Sequence, residues 1–225
     1  MIKVLIGDDH RIVREGLKQV LADAPDVSVL AEASSGPEVL AQVQALGGSA
    51  GLDLVLLDIA MPEQDGLEVL QILRRTHPTL PVLMLSTYPE KQYAVRCIKL
   101  GAGGYLNKSA DPDDMVAAVR KVAAGGMYVT PDTAEALAAA MASAGRFGAT
   151  AQAVVAGVDA LSHREYQVFR LLSMGQTVSE IGAQLKLAPN TVSTYRARIL
   201  EKTGTKNDVE LALYALQHSH SAGER

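Results

Sequence analysis

Apolar and polar positions follow two different rhythms along this 225-residue chain, and the change comes near Gly125. Before it, short apolar runs occur at 2–7, 27–33, 52–57, 81–86 and 103–107. Runs of this length, apolar at consecutive positions, read as strands buried on both faces. Between them apolar residues recur at helical spacing, as in Ile12-Val13, Leu17 and Val20-Leu21,. The fifth such helix opens at Asp111-Pro112, with an acid at the cap and proline in the first turn,. Strict strand–helix alternation, five times over, predicts an α/β fold with a doubly wound five-stranded parallel sheet.

After Gly125 the strand signal stops. Alanine-rich residues 131–144, opened by Pro131, predict one helix, and the small residues from Gly145 to Ala160 predict a flexible linker,. From Leu161 the pattern is helical throughout. Ser162-His163-Arg164-Glu165 has the form of a capping box before Val168, Phe169, Leu171 and Leu172,. Further helices are expected near 177–186, 189–202 and 207–218, with Gly175 and Gly204 as stops,. The division is therefore 1–125 (α/β), 126–160 (connecting) and 161–225 (an all-α four-helix module). That last module is too small for an elaborate active site.

Composition narrows the classes. Apolar residues make up 48% and charged residues 20%, the balance of an ordinary globular protein,. The net charge of −4 hides an asymmetry: 12 Lys+Arg face 16 Asp+Glu in 1–125, but 8 face 6 in 161–225. An anionic partner should meet the C-terminal part. A single cysteine, Cys97, fits a reducing compartment,. The first residues lack the pattern of a secretory signal, and no apolar stretch nears the roughly 20 residues of a membrane helix. The expectation is a cytoplasmic protein with no membrane partner.

The chemistry lies at the ends of the apolar runs. The first run ends in Asp8-Asp9, the third in Asp58 and the fifth in Lys108. An aspartate at such a place can simply cap the next helix. In a parallel sheet, however, the carboxyl ends of all strands share one edge, where ligands collect at the reversal of strand order. Three acids there repel one another unless a cation joins them. Hard oxygen donors at an open position suit Mg2+, and an aspartate beside such an ion can act as a nucleophile toward phosphorus. Lys108 would then be a point charge on the phosphoryl group and the Ser86 hydroxyl a partner for it.

These residues, with Met61-Pro62, Asp65-Gly66 and Gly101-Ala102 through Tyr105, resemble the receiver domain of two-component response regulators over 1–125. The resemblance implies a flavodoxin-like fold in which Asp58 takes a phosphoryl group from a sensor histidine kinase. It implies Mg2+ held by Asp9, Asp58 and the carbonyl of Ala60, with Asp8 assisting, and a switch pair at Ser86 and Tyr105. Ser109 stands where many receivers carry proline.

Leu161 to Glu165, Gly175, Ile181-Gly182, Leu185 and Thr191-Val192 resemble the LuxR-type helix-turn-helix of NarL-subfamily regulators, over 161–218. A helix-turn-helix places the start of its second helix in the major groove of DNA. The resemblance assigns Asn190, Thr191, Ser193, Thr194, Ala197 and Arg198 to double-stranded promoter DNA, with Arg196 and Lys202 beside them. Ser193 replaces a basic residue common in the family, and Ala188 replaces the usual serine cap. The implied protein is a phosphorylation-dependent transcription regulator, a homodimer on phosphorylation or on DNA, with RNA polymerase as a further partner. It would not be an enzyme beyond phosphoryl transfer to its own aspartate. Two other classes fit less well. A phosphohydrolase would want a second acid where Ala60 stands, and an adaptor whose helical domain binds protein in place of DNA has only the weak net charge and the missing lysine at Ser193 behind it; a salt-steep DNA affinity would argue against it.

Overall fold

All five apolar runs become strands of one parallel sheet in the computed structural model, which describes residues 1–87, 90–131, 133–135, 137–138 and 157–219. The strands are β1 (Ile2–Gly7), β2 (Val27–Ala33), β3 (Leu54–Asp58), β4 (Val82–Ser86) and β5 (Gly104–Asn107). Helices α1 (Arg11–Ala22), α2 (Gly36–Ala45), α3 (Gly66–Thr76), α4 (Glu90–Lys99) and α5 (Pro112–Ala123) follow them in turn. The third strand begins two residues later than expected, because the Leu52 N–H closes a turn onto the Gly48 carbonyl.

Strand order is β2-β1-β3-β4-β5, so the order reverses between β1 and β3. Register pairs Val4 with Leu54 and Ile6 with Leu56, then Leu56 with Leu83 and Leu85 with Leu106. These residues share one face and form a core with Leu17 and Leu21 of α1 and Met115, Val119 and Val122 of α5. Positions of the other parity, Leu5, Val55, Leu57 and Met84, are equally buried. Both faces of the central strands are therefore covered, as apolar residues at consecutive positions require,.

Local sequence sets the entry to α3. The Asp65 carboxylate accepts the Glu68 N–H at 2.9 Å as an N-cap,. Gly66 follows because nothing larger fits: a Cβ there would lie 2.0 Å from the Asp58 carbonyl oxygen. The helix that follows β3 is thereby held against the backbone of Asp58.

The chain divides into two compact units, 1–134 and 135–225. Pro131, Thr133 to Glu135, Leu137 and Ala138 are helical, while the rest of the helix expected at 131–144 and the linker up to 156 lie outside the described residues. A short 3-10 turn, Gly157–Ala160, then leads into α6 (His163–Ser173), α7 (Val178–Leu185), α8 (Pro189–Thr203) and α9 (Asp208–Ser219). Capping boxes at Ser162/Glu165 and Thr177/Glu180 start α6 and α7. Their core is Leu161, Val168, Phe169, Leu172, Ile181, Val192, Ile199 and Leu211. Among the described residues no helix is long and apolar enough to cross a membrane.

Candidate functional site

The sheet brings Asp8, Asp58 and Lys108 together at the edge where strand order reverses. Lys108 Nζ lies 2.6 Å from Asp8 Oδ2 and 2.8 Å from Asp58 Oδ2. Both carboxylates are almost fully buried. Both contacts are within ion-pair distance, so the ammonium bridges the two carboxylates. The Lys108 N–H also donates to the Ser86 carbonyl at 2.8 Å, which ties the lysine to the end of β4. No cis peptide occurs among the described residues, so the Lys108–Ser109 bond is trans.

Asp8 is held by all of its polar groups. Its N–H donates to the Ala33 carbonyl of β2 at 3.0 Å. Its carbonyl accepts from Arg14 Nη1 at 2.7 Å, Oδ1 accepts the His10 N–H at 2.9 Å, and Oδ2 faces Lys108. Asp9 is more open, with Oδ1 2.6 Å from His10 Nδ1. One ligand atom from each of Asp8, Asp9, His10 and Asp58 lies within 4.8 Å of the others.

Burial raises the Asp58 carboxyl above its ordinary pKa. Lys108 opposes that rise and Asp8 adds to it,. A backbone hydrogen bond from Ala60 also favours the ionised form. For Lys108 burial acts to lower the pKa, but the two carboxylates outweigh it and hold the ammonium above its ordinary value. The donor set therefore fits a hard divalent cation: three carboxylates, two buried and one open to solvent, with the Lys108 ammonium set between the buried pair,.

Ser86, at the end of β4, is fully buried, and Tyr105 in β5 is 1% exposed, so its ring lies inside the fold. The site also contains residues that the motif did not single out. His10 is the residue before α1 and joins the carboxylate group. Arg14, one turn further on, reaches back to Asp8. Direct adjacency to Asp8-Asp9 was a signal for His10; for Arg14 there was none beyond helical spacing.

In the second unit, α8 opens at Pro189 and buries Val192 and Ile199. That choice of inward face leaves Asn190, Thr191, Ser193, Thr194, Ala197 and Arg198 exposed together. Arg196 and Lys202 are different. Arg196 Nε lies 2.7 Å from Asp208 Oδ1 of α9, and Lys202 Nζ lies 2.6 Å from Glu165 Oε2 of α6. Glu165 is nearly buried, so Lys202 serves as its counter-charge within the domain. Among the described residues Arg198 makes no ion pair, which leaves its guanidinium to solvent.

Comparison with known proteins bears on both units. Residues 4–120 match the response regulator receiver domain, and 159–215 match the LuxR family of bacterial regulatory proteins. Transcriptional regulatory protein UhpA of Salmonella typhimurium is 42% identical over 212 residues, which span 94% of this chain and 96% of that protein. Response regulator GacA of Pseudomonas syringae pv. syringae is 38% identical over 218 residues, 97% of each chain. The solved structure of RcsB from Salmonella enterica serovar Typhimurium, bound to promoter rprA with a phosphomimetic, has a TM-score of 0.52. It covers 95% of this chain and 97% of its own at 24% identity, a likeness of fold.

Proposed function

The chain belongs to the two-component response regulators of the NarL/LuxR subfamily, and on that premise we propose that Asp58 is its phosphoryl acceptor. Control of transcription through phosphorylation is the function of such a chain. One observation carries the assignment: Asp58 Oδ2, at the carboxyl end of β3, sits 2.8 Å from Lys108 and within the carboxylate group of Asp8 and Asp9.

Asp58 oxygen attacks the phosphorus of a phosphohistidine on the sensor kinase, and the histidine nitrogen leaves. Asp9 and Asp58, with the Ala60 carbonyl, are the residues to hold Mg2+, and Asp8 assists. When bound, that ion neutralises charge on the transferring phosphoryl oxygens. Lys108, just past the end of β5, gives the phosphoryl group a second positive charge. Asp8, fixed on every side, keeps Lys108 aimed at Asp58. The Ser86 hydroxyl and the Tyr105 ring are the parts to read the product, since both lie buried on neighbouring strands, Ser86 at the end of β4 and Tyr105 within β5. Beyond this transfer the protein is not an enzyme.

Residues 1–125 form the phosphoacceptor part, 126–160 connect it, and 161–225 read DNA. Asn190, Thr191, Ser193, Thr194, Ala197 and Arg198 face the duplex. Arg196 and Lys202 lie at the edge of that surface, partly neutralised by their own acids. Two modules on a dimer gain avidity on paired half-sites; a phosphomimetic and a promoter accompany RcsB in its structure. RNA polymerase is the further partner, and the reducing cytoplasm is the compartment.

The test is Asp58→Asn. In Mg2+ with a small phosphodonor such as acetyl phosphate, wild-type protein should gain a phosphoryl group by intact mass and the variant should not. Labelling that persists in the variant moves the acceptor elsewhere.

A further inference from the structure

We propose that Arg14 is a positioning residue for the phosphoacceptor pocket: its guanidinium fixes the Asp8 backbone, and through it the orientation of the metal-binding carboxylates. The proposal rests on the reading of that pocket given above. Asp8 lies just beyond the last residue of β1 in the ladder, so no strand is left to satisfy its carbonyl. A buried carbonyl without a donor is costly. Arg14 Nη1 fills the gap at 2.7 Å.

The guanidinium is itself held. Arg14 Nε lies 3.1 Å from Glu32 Oε2 on β2, and Arg14 is largely buried. Glu32 in turn meets Lys18 Nζ at 2.6 Å. Lys18 first, and Arg14 second among the attractive partners, keep the Glu32 carboxyl below its usual range. The chain of contacts runs from Lys18 through Glu32 and Arg14 to Asp8, and ends at Lys108 and Asp58. Two rigid elements, β2 and α1, thereby meet at one carbonyl. A single planar fork makes both contacts at once; a lysine ammonium at the same position lacks that geometry.

Outer partners of metal ligands commonly change affinity by about 10–100-fold when removed. In the full-length protein, Arg14→Gln should weaken Mg2+ binding by about 10-fold in calorimetric titration without any phosphodonor. Saturating Mg2+ should restore the rate of labelling by acetyl phosphate to near the wild-type value, a split that loss of fold would not produce. Arg14→Lys keeps the charge opposite Glu32 and guards against misfolding; it should show the same weakening with an unchanged melting profile. A folded Arg14 variant with wild-type Mg2+ affinity overturns the proposal. Failure of the wild-type protein to bind Mg2+ or to label at Asp58 overturns the pocket reading beneath it.

Discussion

Asp58 carries a charge that the fold does not welcome. Burial lifts its carboxyl above the ordinary value of 3.8, so on acidification the folded protein takes up this proton before the unfolded chain does. Ionised Asp58 therefore costs stability. That cost is absent below 3.8, grows as pH rises, and is complete above the raised folded value. A divalent cation binds only the ionised form and offsets the same cost. The Mg2+-dependent rise in melting temperature should thus be full at neutral pH and shrink on acidification at pH values still above 3.8. Melting curves with and without Mg2+ across that range check it; a rise independent of pH would sink the idea that Asp58 is a ligand. At this scale Asp8, Asp9, Asp58 and Lys108 were legible because strand ends in a parallel sheet converge. Arg14 was not, since an arginine on an amphipathic helix reads as solvated surface. Its meaning depends on Glu32, eighteen residues away on β2.

Elements were legible wherever local chemistry and burial agree. Apolar runs became strands, and the capping boxes at Ser162 and Thr177 start helices where their side-chain pattern says they should. The start of α8, expected at Pro189 and found there, has no such box. Ala188 stands at the cap and offers no side-chain acceptor, so Pro189 alone prepares the first turn. Ala188→Ser should add an acceptor for the orphan amides and stabilise the DNA-reading unit by about 1 kcal/mol. Chemical denaturation of full-length protein, followed on that unit's transition, checks the gain; no gain would mean that another acceptor already serves those amides. The same helix shows what periodicity leaves out. Its spacing tells which side chains point away from Val192 and Ile199, but not that Glu165 and Asp208 of other helices engage Lys202 and Arg196.

Across the whole molecule, the sign of charge separates the two functions. The formal net charge is −4, yet 161–225 carries 8 Lys+Arg against 6 Asp+Glu. Two of those cations, Arg196 and Lys202, are matched by acids within the domain. One module thus offers few cations to phosphates, and its DNA affinity should be weak with a shallow salt dependence. Pairing two modules adds their phosphate contacts, so if phosphorylation joins two copies of the chain it should roughly double the slope of log affinity against log salt. Arg198, exposed on α8, is the cation best placed to contribute. If it meets phosphate, Arg198→Ala should reduce the slope by about 1 per module and weaken all sequences alike. If it reads a base, the slope should hold and discrimination at one base pair should fall by about 1–3 kcal/mol. Fluorescence-anisotropy titrations at several salt concentrations, with and without phosphodonor, separate these outcomes. A slope unmoved by phosphorylation would mean that the aspartyl-phosphate acts on DNA by some route other than joining two modules.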